Sequence, residues 1–238
     1  MKLSIVICAF NRVQFTLHAL NILFYLPQDQ VEIIVVDNAS TDATQQAMLD
    51  INKPNFRYIR NDTNLFHSGG CNKGYEVATG EIILFLNNDI GCKSSMDDLE
   101  GWADKLIAEV ESHSNTLIGK TAGYIDPKKD YQFAYETIDS NKPHNYISGW
   151  LIAAKRETWD KLKQKDTNGP WDNIRLPLYF NDGDVSFRAK KLGIGLRLME
   201  LPLDHYGKIS SAQLNIPKLY NEARKVFIGL HGKKEKSK

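Results

Sequence analysis

Carboxylates stand where apolar runs of this chain end. Asp37 closes VEIIVV, Asp89 closes EIILFLNN, and Asp182 follows LYFN. Asp89, with Asn87 and Asn88 before it, offers hard oxygen ligands that suit Mg²⁺ or Mn²⁺ bridging phosphates. The same triplet also makes an ordinary polar turn. Asp182, behind an aromatic stretch and before a helix, can accept a proton as a general base. Asp184 sits where a carboxylate favours the helix dipole. Asp37 divides evenly between two readings, acceptor of hydrogen bonds from a base or ribose and helix cap. Asp42 reads as a cap. His205, in LDHYG, gains a ligand role only if the fold brings it to Asp89. His18, His67, His113, His144 and His231 show no ligand spacing, and only His67, inside a glycine-rich segment, stands out.

That segment, NLFHSGGCNKG at residues 64–74, has two readings. Its glycines let backbone approach a ligand and turn amides toward phosphate, or they allow tight helix packing. It is neither GxGxxG nor a P-loop. GxSxG and HExxH are both absent, which removes support for hydrolases of those types. Cys8, Cys71 and Cys92 form no CxxC and no even framework, so free thiols in a reducing cytosol are expected.

The elements that must position these groups read as α/β. Buried strands at 3–8, 31–36, 56–59 and 81–86 alternate with helices. One helix is capped by Asn11 and carries Leu17, Leu20 and Phe24 on one face. A second carries Ala43, Ala47 and Ile51. A third, of small residues, is opened by Gly69-Gly70 and closed by Gly80. Such alternation predicts a parallel sheet with ligands beyond the carboxyl ends of its strands. The polar clusters at 9–12, 37–42 and 87–89 fall there. Further on come a long helix at 96–113 and strands at 117–125, 131–137 and 146–154. A helix at 184–192, a strand at 196–201 and an amphipathic helix at 216–230 follow. The tail at 233–238 is charged.

The chain has 238 residues, 42% apolar and 25% charged, with 30 basic against 29 acidic side chains. Those proportions exclude disorder along the whole chain and a strong global field for nucleic acid. No run approaches the ~18 apolar residues of a membrane span. The start reads as a core strand rather than a signal peptide. One compact domain is expected over residues 1–232, with two halves at 1–92 and 93–232.

Six segments in order carry a resemblance. SIVICAFNR, IIVVDNASTD, the glycine segment from Asn61 to Gly74, GEIILFLNNDIG, SGWLIAAKRETW and NGPWDNIRLPLYFNDGDVSFRAKKLG are similar to the family 2 glycosyltransferases. Within that family the chain resembles the rhamnosyltransferase-like subgroup. The resemblance runs from Leu3 to about Ser210. It implies a GT-A fold with a mostly parallel, Rossmann-like central sheet flanked by helices. It also implies an inverting enzyme that moves a sugar from a nucleotide-diphosphate sugar to an acceptor hydroxyl, with 1–92 as the donor half and 93–232 as the acceptor half.

By position, Asp37 holds the base beside the backbone of Ala9 and Phe10. Arg12, Gly70 and Asn72 line the nucleotide, and Asn87 and Asn88 count among its contacts. Asp89 and His205 hold Mn²⁺ or Mg²⁺, and Asp182 is the base. Two departures follow: Asn87 replaces the first acid of Asp-x-Asp, and Asn181 replaces the Glu of Glu-Asp. The first implies either a lower metal affinity or a contact from Asn87 to ribose instead. The second leaves Asp182 less raised by like charge and ionised near neutral pH.

A non-catalytic sugar-nucleotide-binding module of the same fold is the rival, opposed by retained Asp89, Asp182 and His205. Acceptor pockets are expected in residues 124–145 and 164–173. The acceptor stays open among a glycan, a lipid-linked sugar, a protein and a modified nucleic acid. The chain lacks the long C-terminal region and membrane helices of polysaccharide synthases. A cytoplasmic enzyme is therefore expected, with peripheral membrane contact through the tail a lesser alternative.

Overall fold

Period-2 alternation in β-branched and leucine-rich runs divides the core between two faces of one sheet. The computed structural model describes residues 1–92, 99, 101–207 and 216–232. The strands are β1 (Leu3–Ala9), β2 (Val31–Asp37), β3 (Phe56–Arg60), β4 (Ile82–Asn87), β5 (Ile90–Gly91) and β6 (Thr116–Gly119). They continue with β7 (Ala122–Asp126), β8 (Gln132–Thr137), β9 (Tyr146–Ile147), β10 (Leu151–Lys155), β11 (Gly195–Leu198) and β12 (Asp204–His205). The main sheet has seven strands in the order β11-β6-β10-β4-β1-β2-β3, with β10 antiparallel to both neighbours. Ile5, Ile7, Ile33, Val35, Leu84 and Leu86 pack on one face; Val6, Ile34, Val36, Ile83 and Phe85 pack on the other. Both faces are therefore dry, as a mostly parallel sheet requires.

The helices are α1 (Val13–Leu23), α2 (Thr44–Leu49), α3 (Phe66–Val77), α4 (Trp102–Ser112), α5 (Arg156–Lys161), α6 (Asn181–Lys191) and α7 (Ile216–His231). Asn11 does not cap α1. Arg12 takes φ 56° at that position, and the Val13 amide donates to Asp42 Oδ2 at 3.1 Å. Asp42 Oδ1 meanwhile accepts the Thr44 amide at 3.0 Å, so this one carboxylate serves two helix starts. Gly69 and Gly70 lie inside α3 rather than opening it. A Cβ at Gly74 would stand 2.2 Å from Val6 Cγ1, and one at Gly70 would stand 2.7 Å from Cys8 Sγ. Close approach of helix to sheet is what these glycines allow.

The runs at 117–125 and 146–154 each split in two. β6 and β10 stay in the main sheet, while β7 and β9 turn away to form a separate sheet, ordered β8-β7-β9. The Ser148 amide donates to Thr121 O at 2.8 Å, where the chain leaves and re-enters. α6 begins three residues earlier than expected, which places Asp182 in its first turn. The expected strand at 196–201 stops at Leu198. The first residues of the expected helix at 96–113 lie outside the described residues. α7 packs Ala223 and Phe227 against Ile125 and Phe180, so its apolar face is covered. The charged tail at 233–238 lies outside the described residues. Among the described residues, no helix is long and apolar enough to cross a membrane.

Candidate functional site

Strand register sets the first residues of the site. Ala9 pairs with Asp37, and Cys8 with Asn87, so three adjacent parallel strands end in one row. Asp37 is fully buried. Its Oδ1 accepts the Ser40 amide at 2.8 Å; its Oδ2 accepts the Tyr58 hydroxyl at 2.7 Å and the Arg60 guanidinium. Arg60 in turn donates to Ser40 O at 2.8 Å. Asp37 thus fixes the loop after β2. Ala9 is buried and Phe10 half-buried beside it. Among the described residues the Arg12 guanidinium has no partner.

Backbone strain gathers here too. Asn11, Arg12, Ala39, Phe66 and Phe180 all have φ between 56° and 60°. Each such residue costs about 1–3 kcal/mol and persists only where its surroundings hold it.

At one end of this row stand Asn87, Asp89 and His205. β5 and β12 form a two-residue antiparallel ladder, with Ile90 opposite His205. That ladder sets His205 Nε2 3.0 Å from Asp89 Oδ1 and 3.1 Å from Asn87 Nδ2. Trp150 stacks on the imidazole, with centroids 5.2 Å apart and an interplanar angle of 1°, which fixes the ring. Nε2 donates to Asp89 only when protonated and accepts from Asn87 only when not, so the two bonds exclude each other. A cation between Asp89 and His205 removes the conflict. Two ligand atoms at right angles, each about 2.1 Å from one ion, stand about 3.0 Å apart, so the pair fits a small divalent ion. Among the described residues no cluster of three His, Cys, Asp or Glu side chains exists. An ion held by this pair alone would keep positions for phosphate and water.

At the other end is Asp182. Its Oδ2 accepts the Gly149 amide at 3.0 Å, and its Oδ1 accepts the Gly183 amide at 2.8 Å. Burial pushes its pKa up to about 6, against the pull of those amides, and the charge of Glu136 adds to the rise. Burial thus supplies a rise that the neutral Asn181 does not, and a carboxyl at about 6 is still mostly ionised near neutral pH. Asn181 donates to His67 Nδ1 at 2.9 Å and to Ser68 Oγ at 3.0 Å. Burial holds the His67 pKa down at about 4, with Asn87 and Asp89 pulling it back up. His67 therefore stands between the two ends of the site.

Several expected site residues lie elsewhere. Asn72 binds Trp171 through its amide, donating to Trp171 O at 2.8 Å and accepting from Trp171 N at 3.0 Å. It ties α3 to the segment at 169–173. Asn88 turns away to donate to Thr16 Oγ1 at 2.9 Å on α1. Gly70 faces Cys8 and Asn38. A cavity of about 600 Å³ opens beside Asp182, lined by Phe133, Tyr135, Glu136, Tyr146, Tyr179 and Tyr220 among others. Glu136 falls in the 124–145 stretch expected to build the acceptor side, but nothing in the sequence singled it out. Only the hairpin of β7 and β8 brings it to Asp182.

The model of glycosyl transferase family 2 matches residues 4–165. The poly(ribitol-phosphate) beta-N-acetylglucosaminyltransferase TarS of Staphylococcus aureus is 32% identical over 131 residues, which is 52% of this chain and 21% of that protein. The first curated relatives are matched over only 21–28% of their own lengths. The crystal structure of S. aureus TarS residues 1–349 with UDP-GlcNAc superposes with TM-score 0.63 and 16% identity, covering 94% of this chain and 64% of that one. GalNAc-T7 with UDP, GalNAc and Mn²⁺ superposes with TM-score 0.66 and 14% identity, covering 86% and 44%.

Proposed function

The chain belongs to glycosyl transferase family 2 and has the GT-A fold, and we propose that it moves a sugar from a nucleotide-diphosphate sugar to an acceptor hydroxyl with inversion. One observation carries this reading: the cleft has two chemically opposite ends. Asp89 Oδ1 and His205 Nε2 stand at one end, 3.0 Å apart, a spacing that a small divalent ion would bridge, and Asp182 stands at the other with a pKa raised by burial to about 6.

The nucleotide lies over the ends of β1 and β2, in the donor half at 1–92. Asp37 acts on the base pocket through the loop and the Arg60 and Tyr58 side chains that it fixes. Arg12 reaches the phosphates. Asn87 contacts ribose or phosphate beside Asp89. Asp89 and His205 would hold Mn²⁺ or Mg²⁺, which would supply Lewis-acid neutralisation of the leaving diphosphate. Relatives crystallised with UDP-GlcNAc, or with UDP and Mn²⁺, support a nucleotide donor and a divalent ion. Asp182 accepts the proton of the acceptor hydroxyl as its oxygen attacks the anomeric carbon. Attack comes from the face opposite the nucleotide, so the configuration inverts.

The test is release of nucleotide diphosphate from a panel of donors, activated rhamnose and N-acetylglucosamine included, with and without Mn²⁺. NMR of the product reads the anomer. No release from any donor, or retention in the product, overturns the reading.

A further inference from the structure

The cavity beside Asp182 has two charged groups in its wall, and both are negative: Asp182 and Glu136. Among the described residues no lysine, arginine or histidine lines it. Aromatic residues make up most of the rest, Tyr135, Tyr179 and Tyr220 among them.

Glu136 is held in place by a device that crosses three strands. Glu136 on β8 pairs with Gly123 on β7, and Gly123 pairs on its other side with Tyr146 on β9. The Tyr146 ring reaches over the glycine, and its hydroxyl donates to Glu136 Oε1 at 3.3 Å. A Cβ at position 123 would stand 2.4 Å from that hydroxyl, so the bridge needs glycine. The Ser148 hydroxyl donates to the same Oε1 at 3.2 Å. Oε2 has no hydrogen-bond partner among the described residues.

We infer that Glu136 determines acceptor specificity: Oε2 accepts a hydrogen bond from a second hydroxyl of a neutral sugar ring, and its charge turns anionic acceptors away. The inference rests on the reading of Asp182 as the base that faces the acceptor. Its chemistry is general. A sugar ring presents C–H groups on one face, which pack on aromatic rings, and hydroxyls at its edge, which carboxylates accept. A uronate or phosphate in the same place would meet two carboxylates, the half-buried Asp182 and the exposed Glu136, a like-charge contact that selects against it.

Binding needs no turnover, so it tests this point apart from the transferase reading. Ligand-observed NMR titrations would compare methyl glycosides and disaccharides of glucose, galactose and mannose with their uronate counterparts. At least one neutral member is expected to bind tenfold or more tightly than its uronate. Glu136→Gln is expected to narrow that gap to threefold or less, and Tyr220→Ala to weaken the neutral sugar. Binding of no neutral member, equal binding of uronates, or an unchanged gap in Glu136→Gln overturns the inference. Nucleotide release by the wild-type chain without acceptor reports separately on the proposed function.

Discussion

Asn181 donates its amide to His67 Nδ1 over 2.9 Å, and this bond joins the glycine-bearing helix α3 to the first turn of α6. His67 is neutral at pH 7, because burial holds its pKa near 4. The bond needs a donor at position 181, which an amide supplies and a carboxylate does not. The departure from Glu-Asp is thus coupled to His67.

Asn181→Glu is expected to lower stability by about 1–3 kcal/mol, the cost of leaving buried polar groups unpaired. It should also raise the Asp182 pKa further through like charge. Thermal melting and the pH–rate profile read the two effects. An unchanged melting temperature would separate His67 from position 181.

Transfer should rise with pH through about 6 and then level, because only ionised Asp182 accepts a proton. At pH 5 the rate should be roughly tenfold below the plateau. Asp182→Asn should cut turnover by ~10²–10⁴ with nucleotide affinity near normal. The folded pKa lies above the unfolded value, so Asp182 binds protons better when folded, and its contribution to stability falls as pH rises from about 4 to 6. At pH 7 the Asn variant should therefore melt higher, by up to about 3 kcal/mol at ~1.4 kcal/mol per unit. A lower melting temperature counts against a burial-raised base.

Asp89→Ala should abolish the Mn²⁺ dependence of nucleotide binding while the fold persists. His205→Gln should weaken it, since one of two protein ligands is lost. Isothermal titration with nucleotide diphosphate, with and without Mn²⁺, decides; equal metal dependence in wild type and Asp89→Ala sinks the metal role.

Asp184, two residues from Asp182, does structural work. It pairs with Arg188 at 2.8 Å and with His231 of α7 at 2.8 Å. Burial pushes its pKa up, but these partners win and hold it below the ordinary range. Its contribution is therefore present above the unfolded carboxylate pKa and lost as pH falls through the folded one. Asp184→Asn should cost about 3–5 kcal/mol, with turnover per folded molecule little changed. If this variant loses turnover and Asp182→Asn keeps it, the base is misassigned.

Asp37→Ala should weaken nucleotide binding and loosen the loop after β2, because Arg60 and Tyr58 lose their shared acceptor. Leaving those donors unpaired should cost about 1–3 kcal/mol of stability, and nucleotide affinity should fall as the loop loses its order. An unchanged dissociation constant would confine Asp37 to the loop.

The donor side was legible because buried strands carry continuous apolar runs and end abruptly. VEIIVV and EIILFL mark their own boundaries, and the acids that follow fall at the sheet's carboxyl edge. Tight packing is the reading of the α3 glycines that holds, but the helix starts at Phe66 rather than Gly69, because glycine usually marks helix ends and here packing on Val6 and Cys8 overrides propensity. The meeting of His205 with Asp89, 116 residues apart, depends on a two-residue ladder that no periodicity announces. Glu136 lies on a strand whose exposed positions look like any solvated edge. Its partners Tyr146 and Ser148 become neighbours only when β9 joins the same small sheet.

The small sheet leaves the main one at Gly119 and returns at Leu151, with its two roots clasped by the bond from Ser148 to Thr121. A segment whose ends already touch can be exchanged without reopening the structure around it, since closing it demands little extra chain entropy. Residues 122–147 therefore form a graftable cassette. Exchanging that hairpin would change the wall beside Asp182, which Glu136 and Tyr146 form, while the strands of the main sheet keep their register.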